Sequence, residues 1–440
     1  MPKMTIAWLV VYCGGLVASF VSPVYGLLVY LFEYYLRPGL HWWGSDLPRW
    51  RYSLIVSIVI AVSYVMTRTN LPEQRIKENP ALKWLLLFGV NMLFVTPFAV
   101  NLVESWAMVT AFWKMIALYA FIIAIVRTEW AFNAFLAMHI AGAGWWGWEA
   151  YLDPERQAGR LMSVGSADTL NDNQAAGHLL TVLPFVLLFV LRVKDKRLKA
   201  LAIVAGPLIV NTFILCNSRG ATIAMLVALS CTLVLAKKGH RKRMALAGAG
   251  VLAMFFFLAD SQFITRQQTT LNYEDESTAQ GRLSTWGAGL RLLRDRPIGA
   301  GGYGFNHLSP IYSPEVTAGR NTGRVSPHNT WILVGTEWGI QGFALFLCLL
   351  GSTFRLLHRI RRETTDVDMY YRSAAIQVAL IGTLTAATFS DRLYGESIYW
   401  MCALAVVLYR MHLNAEAPVV VTVEAPQGRP WRSAATAGAT

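Results

Sequence analysis

The sequence predicts an all-α polytopic membrane protein of about 12 transmembrane helices, with one large periplasmic loop that contains an amphipathic helix. Three observations predict it. Of 440 residues, 55% are hydrophobic and 15% charged, with a mean hydropathy of +0.41, which is more apolar than a soluble domain of this size. Apolar stretches of about 17 to 25 residues recur along almost the whole chain, the length a helix needs to cross hydrocarbon. One long block, 277–338, is neither a hydrophobic span nor a tail, and it concentrates arginine, glycine and histidine. A membrane barrel is excluded, because its strands read as short alternating segments rather than continuous runs.

Taken in order, residues 5–36 are apolar but broken at Ser22 and Pro23, and make either one bent segment or two short ones. Clearer spans follow at 52–67, 83–100, 107–126, 130–150, 174–191, 198–215, 219–236, 244–259, 329–354, 373–390 and 394–411. This divides the chain into N-terminal transmembrane helices (1–259), a large loop carrying the candidate motifs (260–328), C-terminal transmembrane helices (329–412) and a tail (413–440) whose Pro, Ala, Thr and Val content predicts a disordered cytoplasmic segment.

The net charge of +13 invites a nucleic-acid reading, but many basic residues fall in short loops between spans, where they set orientation. RVKDKRLK (192–199), KKGHRKR (237–243) and HRIRR (358–362) fall on one side when the spans are counted. That side is expected to be cytoplasmic. The 37–51 loop, the 151–173 loop, the 217–220 turn, the 260–328 block and the 390–394 turn then lie on the opposite face. Cysteines 13, 216, 231, 348 and 402 sit singly in expected spans, which implies neither disulfides nor a zinc site. The acidic 151–173 loop lacks calcium-loop spacing, and no metal or cofactor is expected. HWW (41–43) and WWGW (145–148) read as interfacial aromatic belts.

Arg219, Arg266, Arg282, Arg291, Arg294, Arg296, Arg320 and Arg324 lie where the positive-inside trend disfavours them. Each alone is explained by a solvated loop or a headgroup contact; together they suggest a site for an anion. Within the block, Ser277 to Gln280 has the form of a capping box, and Leu283, Trp286, Leu290 and Leu293 follow at helical spacing. This predicts an amphipathic helix over 278–295, ended by Pro297. The GAGGYG run (299–304) permits positive φ, and reads as a phosphate cradle or equally as a plain turn.

Ser326-Pro327-His328-Asn329 precedes an apolar run. With Ser326 as N-cap and Pro327 at the first helical position, His328 falls in the first turn. The helix dipole there disfavours imidazolium, so a neutral, proton-accepting ring is expected, against the simpler reading of a histidine solvating a helix end. Asp391 closes a span on the same face and either binds substrate or marks a helix end. Glu337 lies two turns inside a span, an expected orienting or acceptor group alongside Asp391, to pair with an arginine or a histidine ring or to hydrogen-bond within the bundle.

The pair GRLSTWGAGLRLLRDRPIGAGGYGF (281–305) and HNTWILVGTEWGIQGF (328–343), with NSRGA (217–221) upstream, resembles the O-antigen ligase and polymerase superfamily of bacterial inner-membrane enzymes. The resemblance implies a metal-independent, inverting glycosyltransferase that moves a glycan from undecaprenyl pyrophosphate to an acceptor hydroxyl at the periplasmic face. The implied acceptor is lipid A core or another glycan or a protein. Carried onto this chain, His328 is implied as the catalytic base, Arg219 and Arg282 as pyrophosphate ligands, and Asp391 as an orienting or acceptor-binding group. A polymerase of the same superfamily shares every one of these features. A transporter of lipid-linked glycans is the alternative of a different class, and it would place its charges near the midplane in repeated halves.

Overall fold

A computed structural model describes the chain except residues 1, 73–78, 155, 158, 163, 170, 269–276, 319–322 and 416–440. The expected tail lies almost wholly outside the described residues, as does Arg320. Helices α1 (Lys3–Ser19), α2 (Pro23–Tyr35), α3 (Tyr52–Thr67), α4 (Pro80–Val95), α5 (Leu102–Ile125) and α6 (Glu129–Leu152) come first. A two-stranded antiparallel hairpin, β1 (Arg156–Gln157) and β2 (Arg160–Leu161), interrupts them. Then come α7 (Asp172–Arg192), α8 (Lys196–Leu215), α9 (Arg219–Val234), α10 (Arg241–Leu258), α11 (Ser261–Gln268) and α12 (Ser277–Asp295). The chain ends with α13 (Gly304–Tyr312), α14 (Pro314–Thr317), α15 (Thr330–Glu363), α16 (Val367–Ala386) and α17 (Glu396–Ala415).

The all-α class holds, and each expected span coincides with a helix. Residues 5–36 resolve into two helices, because Pro23 is accepted at a first helical position but cannot continue the helix before it. The starts are set by side chains: Asn79, Asn101, Thr128, Asn171, Ser218, Asn329 and Asp366 each cap the helix that follows. By length and composition, α3, α4, α5, α7, α8 and α15 can each cross a membrane, and α9 with α10, bent by 118°, can form a seventh, broken span. The chain is a multi-pass membrane protein. The expected figure of about 12 spans exceeds what length and composition establish, because α6, α16 and α17 carry more polar residues. α17 is enclosed along most of its length, with residues 397–410 buried, so its apolarity serves the protein core as much as any lipid.

The basic turns gather at one end of the bundle. There Arg192 Nε donates to Asp368 at 2.8 Å, and Tyr370 Oη donates to the Leu235 carbonyl at 2.8 Å. The starts of α7, α9 and α15 lie at the opposite end. The tryptophan clusters divide: Trp42 and Trp148 are exposed, whereas Trp43 and Trp146 are buried, and Trp146 donates to the Tyr35 carbonyl at 3.0 Å. They are not simple interfacial belts.

α15 is broken at Gly339 (φ 77°, ψ 177°), which frees carbonyls that an intact helix would use. The glycine run fills the break. Ala300 N donates to Thr336 O and Gly301 N to Glu337 O, both at 2.9 Å, and Ile340 N donates to Pro297 O at 2.9 Å. On its other side Gly302 N donates to Ser105 Oγ at 3.2 Å, and Val100 N donates to Ala300 O at 2.9 Å. With Tyr303 N bonded to Glu337 Oε1 at 2.8 Å, these amides are committed to protein acceptors. The run is a buried plug, not a phosphate cradle. It is glycine-rich because a Cβ at 301 would lie 2.2 Å from the Ala99 Cβ, and one at 299 would lie 2.5 Å from the Glu337 carbonyl.

At Gly339 a Cβ would lie 2.2 Å from the Ile298 carbonyl, on a backbone with positive φ. Gly339→Ala is therefore expected to destabilise by about 1–3 kcal/mol or more, read as a lower thermal midpoint in detergent. Gly351→Ala, on the same helix with nothing near an added Cβ, is expected to stay within about 1 kcal/mol of wild type. Equal midpoints for the two variants would show that the break is not required.

Candidate functional site

At the end where α7, α9 and α15 begin, four segments converge: the 217–220 turn, the 326–330 turn, the 387–395 turn and the β1–β2 hairpin. Asn171 accepts from Gln174 N at 3.0 Å, Ser218 from Ala221 N at 3.4 Å, and Asn329 from Trp331 N at 2.9 Å. Three helix N-termini thus place their partial positive charge on one region.

Arg219 is the first residue of α9. The turn before it is tight: Asn217 adopts φ 49°, a conformation asparagine tolerates. Its backbone carbonyl accepts from Arg266 Nε at 3.0 Å and its side-chain Nδ2 donates to Gly159 O at 3.2 Å. Ser218 Oγ donates to Asn173 Oδ1 at 2.7 Å. A Cβ on Gly220 would lie 2.5 Å from that of Phe389, so the start of α9 rests directly on the turn that carries Asp391.

Arg282 lies near the start of α12 and is partly buried. Burial, reinforced by Arg160 and Arg219, holds its guanidinium below the usual range, while Asp391 and Asp172 oppose the shift. Three arginines and two carboxylates therefore share one electrostatic neighbourhood. Arg160, on β2, is paired with Asp172 at 2.9 Å.

His328 stands at φ 47°, just before α15. Its Nδ1 is 3.5 Å from Asp391 Oδ2, and its side chain is 45% exposed. The expectation that Ser326 caps this helix and that His328 sits in its first turn is corrected. Asn329 is the N-cap, and the Ser326 hydroxyl is committed instead to Asp391 Oδ2. Asp391 Oδ1 accepts from Asn329 N at 3.2 Å. Trp286 Nε1 donates to Pro327 O at 3.0 Å, which ties α12 to the histidine turn. Thr330 completes the join: its amide donates to Ala387 O and its hydroxyl to Ser390 O, both at 2.8 Å.

The structure brings His328, Asp391, Arg282 and Arg219 together, and leaves Glu337 out. Glu337 is 1% exposed, with Tyr303 N at 2.8 Å and Tyr394 Oη at 2.7 Å from its carboxylate. Of the readings open for it, bonding within the bundle is the one found. α12 spans its expected range, but the stripe differs: Leu283 and Leu290 are exposed, whereas Ala288 and Leu292 are buried with Phe305 and Val325. The small residues are chosen because Gly289 must pass the Ile332 side chain, 2.3 Å from where its Cβ would be. The expected capping box falls partly on side chains outside the described residues. Arg291 donates to Tyr312 O at 2.7 Å, and it lines an open hollow with Arg294, Tyr312 and Glu315, apart from the convergent set. Arg296 and Arg324 are exposed.

Arg160, Asp172, Ser326 and Arg392 are the participants that sequence reasoning missed. Arg392 is fully buried and adjoins Asp391; its one signal is the DR pair at a helix end. Among the described residues, no group of three or more His, Cys, Asp or Glu could hold a metal ion.

Residues 207–347 match the family model described as O-antigen ligase, and through this segment the chain is similar to that superfamily. The match contains Arg219, Arg282, His328 and Glu337, and stops before Asp391. No curated protein matches the chain.

Clustered guanidiniums repel one another, and a polyvalent anion relieves that repulsion. Inorganic pyrophosphate is expected to raise the thermal midpoint of the purified protein, with about 1.4 kcal/mol of stabilisation at tenfold excess over its dissociation constant. Arg282→Ala should largely remove the rise. An undiminished shift in that variant would place the anion elsewhere.

Proposed function

We propose that the protein is an O-antigen ligase-like glycosyltransferase. It transfers a glycan from undecaprenyl pyrophosphate to an acceptor hydroxyl, on lipid A core or another glycan or protein, at the periplasmic face of the inner membrane. One observation carries this reading: a histidine held by a carboxylate, beside a group of arginines, at the helix ends of a membrane bundle that carries this superfamily's segment. The large loop over 260–328 then faces the periplasm, opposite the basic turns. About 12 spans fit this topology when α9 and α10 cross separately and α6, α16, α17 and the α1–α2 pair cross with the more apolar helices.

The chemistry follows from the named groups. With Asp391 Oδ2 3.5 Å from His328 Nδ1, the carboxylate favours the proton on that nitrogen and leaves Nε2 to take the acceptor proton. The acceptor oxygen bonds to the anomeric carbon as the bond from that carbon to the pyrophosphate oxygen breaks. The electron pair leaves on the pyrophosphate, where Arg219 and Arg282 stabilise it by charge-assisted hydrogen bonds. Attack opposite the leaving group inverts the anomeric centre. The sugar arrives already activated, so the step needs no nucleotide and no metal. A polymerase would run the same step on a carrier-linked glycan acceptor, and nothing in the site favours one acceptor over the other.

The test is transfer by purified protein from undecaprenyl-pyrophosphate-linked glycan to lipid A core, to a carrier-linked glycan or to a protein, followed as a shifted product. His328→Ala is expected to lower turnover by about 10²- to 10⁴-fold with donor binding retained. Arg282→Ala should weaken donor binding. Full turnover by the histidine variant would remove it from the mechanism, and unchanged donor affinity would remove the arginine.

A further inference from the structure

Resting on the glycosyl-transfer reading, we propose that Asp168 is a positioning residue for that reaction: it clamps the 390–396 turn from both ends and so holds Asp391 against His328. The residue lies in the loop before α7, in a stretch whose acidic residues suggested no role from spacing alone. Its placement gives it one.

Both oxygens of its carboxylate and its backbone carbonyl are engaged. Oδ1 accepts from the Tyr34 hydroxyl and from Ser166 Oγ, the latter at 2.8 Å. Oδ2 accepts from Glu396 N at 2.7 Å, so the carboxylate caps the first turn of α17 from a distant part of the chain. The carbonyl accepts from Arg392 Nη1 at 2.8 Å. Arg392 is the residue after Asp391. It also donates its own amide to Thr330 Oγ1 at 2.8 Å and Nη2 to Ser397 Oγ at 3.2 Å. One acidic residue thus holds the turn at position 392 through a guanidinium and at position 396 through a backbone amide.

The clamp is shaped in advance. Gly165 adopts φ 155°, and a Cβ there would meet the Thr169 carbonyl at 2.4 Å. Gly395 admits the Arg392 guanidinium, whose Cζ would lie 2.8 Å from an added Cβ. Behind Asp168, Tyr34 packs edge-on against Trp400 with ring centroids 4.9 Å apart and faces His178 Nδ1 at 3.3 Å. Tyr35 then bridges His178 Nε2 at 2.7 Å and His139 Nδ1 at 2.8 Å. This wall of rings fixes the tyrosine hydroxyl, which fixes the carboxylate. Arg392 is fully buried with Nη1 on the Asp168 carbonyl and Nη2 on Ser397, and these bonds leave the turn little freedom. Asp391 makes a long contact to His328, so a small displacement of the turn breaks it, and misplacement by about 1 Å can cost on the order of 10²-fold in rate.

The experiment is steady-state transfer by the purified full chain, with undecaprenyl-pyrophosphate-linked glycan as donor and lipid A core as acceptor. Asp168→Asn and Tyr34→Phe are each measured alone and in an Asp391→Asn background. Alone, Asp168→Asn is expected to lower kcat by about 10- to 100-fold and Tyr34→Phe by about 3- to 10-fold, with donor KM within about 2-fold of wild type. In the Asp391→Asn background each adds no more than about 2-fold, because there is no longer a carboxylate to position. Equal losses in both backgrounds, or a raised donor KM with kcat intact, would overturn the proposal. If Asp168→Asn does not fold, Tyr34→Phe decides it by the same comparison, since it removes only the hydroxyl that bonds Asp168 and His178 and introduces no charge. Wild-type protein that transfers glycan to none of lipid A core, carrier-linked glycan or protein overturns the glycosyl-transfer reading itself, and the positioning claim with it.

Discussion

A single carboxylate joins the two halves of the candidate site. Asp391 accepts from the Ser326 hydroxyl and from the Asn329 amide, 62 residues away in the chain, and the same carboxylate faces the His328 ring. A carboxylate with several donors is held in one orientation, and so are its donors. The unusual backbone at His328, with positive φ on a residue that has a Cβ, persists because Asn329, Thr330 and Pro327 are each fixed by a separate partner. The arginines are placed by different means, through the helix starts and the hairpin, yet they arrive at the same end of the bundle.

The long connection between α10 and α15 is held on the bundle by insertion rather than by covering. The break in α15 exposes carbonyls, the glycine run supplies amides, and each satisfies the other where neither could be left bare in a buried setting. Glu337 takes part by accepting from Tyr303 N, which explains an acidic residue deep in an apolar helix without invoking an ion. Trp286 then carries the position of α12 to Pro327, next to His328. The plug and the histidine turn are thus parts of one mechanical unit.

Much of the fold was legible because hydrophobic runs and capping residues act locally. α12 was expected over 278–295 and forms over 277–295, and the start of α9 at Arg219 follows from Ser218. The buried stripe of α12 was misread because large apolar residues were taken to mark the packed face. Here Ala288 and Gly289 pack closely and Leu283 and Leu290 point outward. The helix start at Asn329 was misplaced because Ser326 and Asn329 are equally good caps, and only the distant Asp391 decides between them. Four site residues, His328, Arg219, Arg282 and Asp391, were visible through a motif resemblance and loop topology. Arg160, Arg392 and Asp168 were not, since their roles depend on contacts between segments that no spacing in the chain announces.

The most direct measurement is an experimental structure of the protein with undecaprenyl pyrophosphate bound. Diphosphate oxygens are expected within about 2.7–2.9 Å of the Arg219 and Arg282 guanidiniums, with the His328 ring facing the carbon-bearing side of the leaving group. A diphosphate bound away from these arginines, or on the far side of the bundle from His328, would contradict the proposed site.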